Sequence, residues 1–305
     1  MEYGITKLVL GPMPFVNITE EEYCAIKNAK KYLFEAYYLE QKVDVVMEDF
    51  LEYEMTLLST ATKHMIFHDL NYPRMQNEVN VINRRIINLL SACRMYLDHY
   101  CHHLNNIYGE RSQKVKEVQC QVKHEYDISL SYRVLEALRN YVQHRGFPVQ
   151  SVTYNSKREE EAQDKWQIVF GVTPYLKVKE LAEDKKFKRS VIQELESLGE
   201  KFDIKPMIRD YITSIGKIHT KAREVLKDDV LTWENTISKC VSRFKDATKS
   251  DDIVGLGIAM RDGEGLYPEM FQIFTDFIDH RQELEQKNSF IGSLTRFYVA
   301  SKSIN

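Results

Sequence analysis

The sequence predicts a mainly α fold: an N-terminal helical bundle, a small β-hairpin, and further helices toward the C-terminus. Three observations predict it. Gly and Pro are scarce, 12 and seven in 305 residues, while Leu, Ile, Lys and Glu are plentiful, a balance that favours helix over turns. Apolar residues recur at helical spacing over long stretches, most clearly from Gln76 to Tyr108. The clearest β-type runs, Val149–Tyr154 and Trp166–Val172, fall close together after residue 148.

The elements follow in order. Residues 1–16 are apolar with Gly-Pro punctuation and fit a short strand or an ordered arm. Thr19 followed by Glu20, Glu21 and Glu22 is a capping-box start, with acids at the positive end of a helix. A first helix is expected to about Gln41 and a second from about Val43 to Thr62, packed as an antiparallel pair. Asn71-Tyr72-Pro73 reads as a break before the long 76–108 helix, striped by Val79, Ile82, Ile86, Leu89, Leu90, Cys93, Tyr96 and Leu97. A helix from about Glu110 to Tyr126 leads into another that starts near Ser129. The charged stretch Asn155–Lys165 reads as a solvated loop inside a hairpin that Tyr175–Val178 continues. Helices are then expected over about 188–198, from Pro206 to about Lys227, over 229–247, and, after a Gly-marked loop, over 268–301. The implied domains are 1–148, 149–180 and 181–305, with the last able to pack onto the first.

Composition narrows the function. The formal net charge is −3, and both halves are nearly neutral: 17 basic against 19 acidic residues in 1–150, 25 against 26 in 151–305. No global basic field draws polyanions, so nucleic-acid affinity requires a local patch or a cleft between copies. Eighteen Tyr and 14 Phe suit packing, an interface or base stacking. Five cysteines without paired spacing, no secretory pattern at the start and no apolar run near the roughly 18 residues of a membrane span lead to the expectation of a cytoplasmic protein with reduced thiols and no membrane partner.

The most informative stretch is Ser129–Pro148, SLSYRVLEALRNYVQHRGFP. On a helical wheel Leu130, Val134, Leu135, Ala137, Leu138, Tyr141 and Val142 form one apolar arc. Arg133, Asn140 and His144 share a narrow polar arc, and Glu136, Arg139 and Gln143 fill the rest of the polar side. Gly146 and Pro148 close the helix. Imidazole exchanges protons near neutrality, guanidinium offers a planar fork of donors to a phosphate, and an amide orients either group. Arg139 and His144 are five residues apart, roughly 140° around the helix and about 7.5 Å along it, so they flank the apolar stripe from opposite sides. One copy makes a loose site; two copies about a twofold axis bring both groups into one cleft.

Arg139-Asn140-Tyr141-Val142-Gln143-His144 resembles the R-polar-x-x-x-H motif of the HEPN superfamily, the higher eukaryote and prokaryote nucleotide-binding domain. The resemblance covers the first half of the chain. It implies a helical bundle that dimerises and acts without a metal or other cofactor as an endoribonuclease or RNA-binding relative, of the toxin–antitoxin or phage-defence type. An antitoxin or other partner protein is implied with it. It gives Arg139 the phosphate contact, Asn140 the supporting polar position and His144 the acid–base role; Arg133 and Gln143 are added as substrate-binding candidates from the polar face. One departure is Gly146, where the subgroup paired with nucleotidyltransferase antitoxins carries a tyrosine.

Other constellations carry less. Arg94 and His99 repeat the five-residue spacing, but Met95 holds the polar position; these groups could support the main site if their helices pack together. His99, Cys101, His102 and His103 cluster, and His64/His68 share an i,i+4 face, yet neither HExxH nor ExxH spacing is present. His219 and Arg223 read as a solvated pair. The alternative function is a non-catalytic helical module that dimerises or docks a protein partner.

Overall fold

The computed structural model describes residues 1–289 except 10, 12, 69, 70, 163 and 164, together with 294 and 299. The fold is mainly α, 67% helical. In chain order the elements are β1 (Glu2–Lys7), β2 (Val16–Ile18), α1 (Glu20–Phe67), α2 (Tyr72–Tyr108), α3 (Gln113–Ile128), α4 (Leu130–His144), β3 (Ser151–Ala162), β4 (Lys165–Lys177), α5 (Val178–Ala182), α6 (Arg189–Leu198), β5 (Lys201–Asp203), α7 (Ile204–Thr248), β6 (Leu256–Arg261), β7 (Glu269–Gln272) and α8 (Asp276–Lys287).

The chain forms two compact units from interleaved segments. The first takes residues 1–41, 100–116 and 222–287; the second takes 42–99 and 117–221 with the chain from 288 on. Boundaries at 148 and 180 both fall inside the second unit. Helices α1, α2, α3 and α7 each supply residues to both units.

Two expected helix pairs are single helices. The helices expected to end near Gln41 and resume at Val43 are one, α1. Its buried residues Leu33, Ala36, Leu39, Val43, Val46 and Phe50 keep three- and four-residue spacing straight through the expected turn, and no Gly or Pro interrupts it. Likewise α7 runs through 227–229 on Ile218, Ala222, Leu226 and Val230. The α1 start is as expected: Thr19 Oγ1 accepts from Glu22 N (3.1 Å) and Glu22 Oε2 accepts from Thr19 N (2.8 Å). Helix α2 begins before position 76, because Pro73 fits a first turn and Asn71 Oδ1 caps Arg74 N (3.1 Å).

The first unit holds a four-stranded antiparallel sheet of order β2-β1-β6-β7. Strands β6 and β7 replace part of the expected Gly-marked loop and the start of the expected 268–301 helix; α8 covers 276–287, residues 288 and 289 form a turn, and of 290–301 only 294 and 299 are described. At Gly257 a Cβ would sit 2.7 Å from the Phe271 carbonyl oxygen, so glycine permits the close approach of β7. Phe34 and Phe277 stack at 4.2 Å, and Arg281, 7% exposed, pairs with Glu234 at 2.7 Å.

The second unit holds the sheet β3-β4-β5. Residues 155–162 of the charged stretch are strand, not a solvated loop. Strand β3 pairs with β4 from Ser151↔Tyr175 to Glu160↔Trp166, because alternation puts Arg158 over the Trp166 ring (4.6 Å) and Asn155 Nδ2 on Thr173 Oγ1 (2.7 Å). Tyr154 Oη donates to Glu78 Oε2 (2.7 Å), joining the ribbon to α2.

Candidate functional site

Helix α4 is set in the second unit by its sequence. Ser129, in an extended conformation, caps its start: its Oγ accepts from Tyr132 N (3.1 Å) and donates to Asp210 Oδ2 (2.9 Å). Tyr132, Val134, Leu135, Leu138 and Tyr141 are buried. At the other end Arg145 N bonds Tyr141 O (2.8 Å). The strand-bound segment beyond is held by buried Asn83, whose Oδ1 accepts from Val149 N (2.8 Å) and whose Nδ2 donates to Val149 O (3.2 Å). Asn83 lies inside the α2 apolar stripe, and nothing in its spacing marks it as a clamp.

A cleft of about 380 Å³ opens along the polar side of α4, lined by Arg133, Glu136, Asn140 and His144 and, opposite, by Asp184, Lys186, Phe187 and Lys188. The opposite wall is the turn between α5 and α6, shaped by Asp184: its carbonyl accepts from Phe187 N (2.9 Å) and its Oδ1 from Lys186 N (3.0 Å). Sequence reading missed this wall, whose only signal is the basic run Lys185-Lys186-Phe187-Lys188.

The structure brings Asn140, His144 and Arg133 to one cleft and leaves Arg139 and Gln143 outside its lining. His144 is exposed in the last turn of α4, without a hydrogen bond or ion pair among the described residues. Arg139 is half-buried. Its Nη1 donates to Asn140 Oδ1 (3.2 Å), while its Nε is shielded and unpartnered. Gln143 is exposed. Arg133 is committed elsewhere: Nη1 donates to the carbonyls of Tyr126 (3.0 Å) and Asp127 (2.9 Å), and Nη2 to Glu194 (2.5 Å). It closes the C-terminal carbonyls of α3, which puts its fork at the edge of the cleft already occupied.

Electrostatics follow from who is paired. Glu136 accepts from Arg94 Nη1 (3.1 Å) and from the Tyr211 hydroxyl, and Arg94 also pairs with Asp98 (2.6 Å). Burial draws the Arg94 guanidinium down, but Glu136 and Asp98 outweigh it and the net shift is upward. The Tyr211 hydroxyl, wholly enclosed, is pushed far above its ordinary range by burial and by the charges beside it. With Glu136 and Arg133 neutralised by neighbours, the charges left at the cleft are the ammonium groups of Lys186 and Lys188 against Asp184. Lys188 also lies 4.9 Å above the Tyr126 ring. The hydroxyl of cleft-lining Tyr141 is raised chiefly by burial and also by Glu180, Asp184 and Glu183 against Arg145, so the charge around the cleft is mixed, with Lys186 and Lys188 as its cations.

A larger groove, about 740 Å³, runs between the second half of α1 and the first half of α2, lined by Leu51, Met55, His64, Arg74, Arg85 and Tyr154 among others. Leu51 and Met55, which line it, are exposed. The histidine clusters have partners of another kind: His103 Nδ1 meets Glu35 (2.7 Å), and His102 Nε2 meets Asn106 (3.2 Å). No group of three or more His, Cys, Asp or Glu among the described residues is arranged to hold a metal ion. His219 and Arg223 are not a solvated pair: His219 is 1% exposed against Tyr96 Oη (3.1 Å), and Arg223 is bidentate on buried Glu40 (2.9 and 2.6 Å). No described helix is long and apolar enough to cross a membrane.

Comparison of the chain with protein-family models, with curated proteins and with solved structures finds no match in any of the three. The functional reading therefore rests on the residues themselves.

Proposed function

We propose that the chain is a HEPN-like, metal-independent endoribonuclease or RNA-binding relative, of toxin or phage-defence type, whose α4 site is completed by a second copy. The observation that carries this reading is the cleft at which Asn140 and His144 face Lys186 and Lys188, with Arg139 hydrogen-bonded to Asn140 at its border. A phosphodiester fits it: two lysines hold the backbone, and the imidazole is reachable from solvent. In the proposed reaction the 2′-hydroxyl attacks its neighbouring phosphorus, the bond from phosphorus to the 5′-oxygen breaks, and the products are a 2′,3′-cyclic phosphate and a 5′-hydroxyl. His144 moves the proton, Arg139 of the second copy steadies charge on the phosphoryl oxygens, and Asn140 orients the reacting groups.

The second reading is a non-catalytic dimerisation or protein-interaction module. The exposed side chains of Leu51, Met55 and Leu58 favour it, since they occupy one face of α1 at i, i+4, i+7.

The test is incubation of the purified protein with total RNA in EDTA, beside Arg139→Ala and His144→Ala. The nuclease reading expects wild-type cleavage ending in cyclic phosphates and a loss of about 100-fold or more in each variant. Wild-type protein that leaves RNA intact at every concentration supports the module.

A further inference from the structure

We propose that residues 290–298 lie along α1 as a strap that covers its exposed apolar stripe at Leu51 and Met55. The inference is independent of the α4 cleft. It gives to the chain itself the stripe that the second reading above offers to a partner.

Where the chain arrives selects this occupant. Helix α8 follows α1 in the same direction, because its contacts advance in step. Phe277 stacks on Phe34 (4.2 Å), His280 Nδ1 meets Tyr37 Oη (2.7 Å), and Asn288 Nδ2 donates to Asp44 Oδ1 (2.9 Å). The last two pairs are 243 and 244 residues apart in the sequence, so the register is kept. Asn288 is buried, which seats the chain on α1 just past the end of α8. The face that α8 follows then continues as the stripe. At 100° per residue Phe34, Tyr37, Asp44, Leu51, Met55 and Leu58 fall within about 120° of arc. Leu51, Met55 and Leu58 are 51%, 60% and 42% exposed, an apolar run that burial would stabilise.

The continuing sequence fits that face. Phe290, Ile291, Leu294, Phe297 and Tyr298 recur at three- and four-residue spacing, a helical stripe of their own. Leu294 is half-buried in a 3₁₀ turn, whereas Val299, about 140° from it on a helical wheel, is exposed. Carrying the α8 register forward sets Leu294 beside Leu51 and Tyr298 beside Met55. The reach suffices: Leu51 and Met55 lie about 10 and 16 Å beyond Asp44 along α1, and ten helical residues from Asn288 span about 15 Å. Charge agrees as well. Residues 44–54 of α1 carry Asp44, Glu48, Asp49, Glu52 and Glu54 and no base, whereas 290–305 carry Arg296 and Lys302 and no acid. Glu52 and Glu54 already pair with Arg85 and Arg209, which leaves the acids nearest Asp44 to face the strap. The chain from 288 on also belongs to the unit that holds residues 42–99, and so the stripe.

Paired cysteines in the full chain test this. Leu51→Cys combined with Leu294→Cys, beside each single variant, is oxidised with copper phenanthroline and resolved on a non-reducing denaturing gel, with the linked peptides mapped by mass spectrometry. A disulfide between positions 51 and 294 of one chain is expected in the double variant, above the background that the native cysteines give in the single ones. Hydrogen exchange gives a second readout. Amides of 290–298 are expected to exchange about tenfold more slowly in wild type than in Leu51→Lys/Met55→Lys, with the amides of α2 unchanged. The proposal is overturned by a link found only between two chains, which gives the stripe to a second copy, and by the absence of any 51–294 link. It is also overturned by amides of 290–298 that exchange alike in the two proteins. The cross-link decides even where the double-lysine variant does not fold. Failure here returns the stripe to the partner of the second reading and leaves RNA cleavage at the α4 cleft unaffected.

Discussion

Single residues decide how α4 is presented. Asn83 satisfies both backbone groups of Val149 from within the core, holding the segment that follows His144. Asn83→Ala leaves a buried N–H and a buried C=O unpaired, and the expected cost is about 2–3 kcal/mol, read as a lower urea midpoint with an unchanged m-value. A midpoint within error of wild type would show that water takes over both bonds. The spacing alone sets Arg139 and His144 on different ridges of α4, and the cleft lined by His144 but not by Arg139 agrees with it. The fate of Arg133 was not. Helical periodicity places a side chain on a face, but the carbonyls of Tyr126 and Asp127 and the carboxylate of Glu194 that engage it come from elsewhere in the chain.

Elements were legible where local chemistry marks their ends. Ser129 starts α4, Thr19 with Glu22 starts α1, and Gly199 follows α6, each a signal carried by one or two side chains. Elements were misjudged where continuity depends on packing. Nothing polar at Gln41–Lys42 or Lys227–Asp229 ends a helix once the apolar stripe passes through with its spacing kept. The charged 155–165 stretch shows the same limit in strands, since cross-strand partners such as Trp166 for Arg158 lie beyond a local reading. The facing wall of the cleft, Asp184–Lys188, belongs to a turn between two short helices, and periodicity does not report which turn meets which helix.

At the scale of the whole molecule the resolved carboxylate shifts have opposite signs in the two units. In the first unit three carboxylates sit below their ordinary range. Hydrogen bonds from Lys27 and Tyr23 lower Glu269, and one from Lys7, with the Val254 N–H, lowers Asp252. For Asp229 burial pulls upward, but hydrogen bonds from Lys114 and Tyr108 outweigh it. In the second unit Asp49 is raised, chiefly by burial. A carboxylate depressed on folding stabilises above its unfolded value, about 4, and that stabilisation is lost as pH falls through the folded value. Asp49 has the opposite sign: its contribution is full below its unfolded value and fades as pH rises through its folded one. The first unit is therefore expected to lose its amide resonances at higher pH than the second in an acid titration from pH 6 followed by NMR. Simultaneous loss, or the reverse order, would contradict this division.

In the proposed function the site is shared between copies, with Arg139 from one chain acting beside His144 of the other. Mixing the two inactive variants measures this most directly. Arg139→Ala and His144→Ala, unfolded and refolded together in equal amounts, should form mixed dimers with one intact site of two, restoring roughly a quarter of wild-type cleavage. A mixture as silent as its two parents would contradict the shared site.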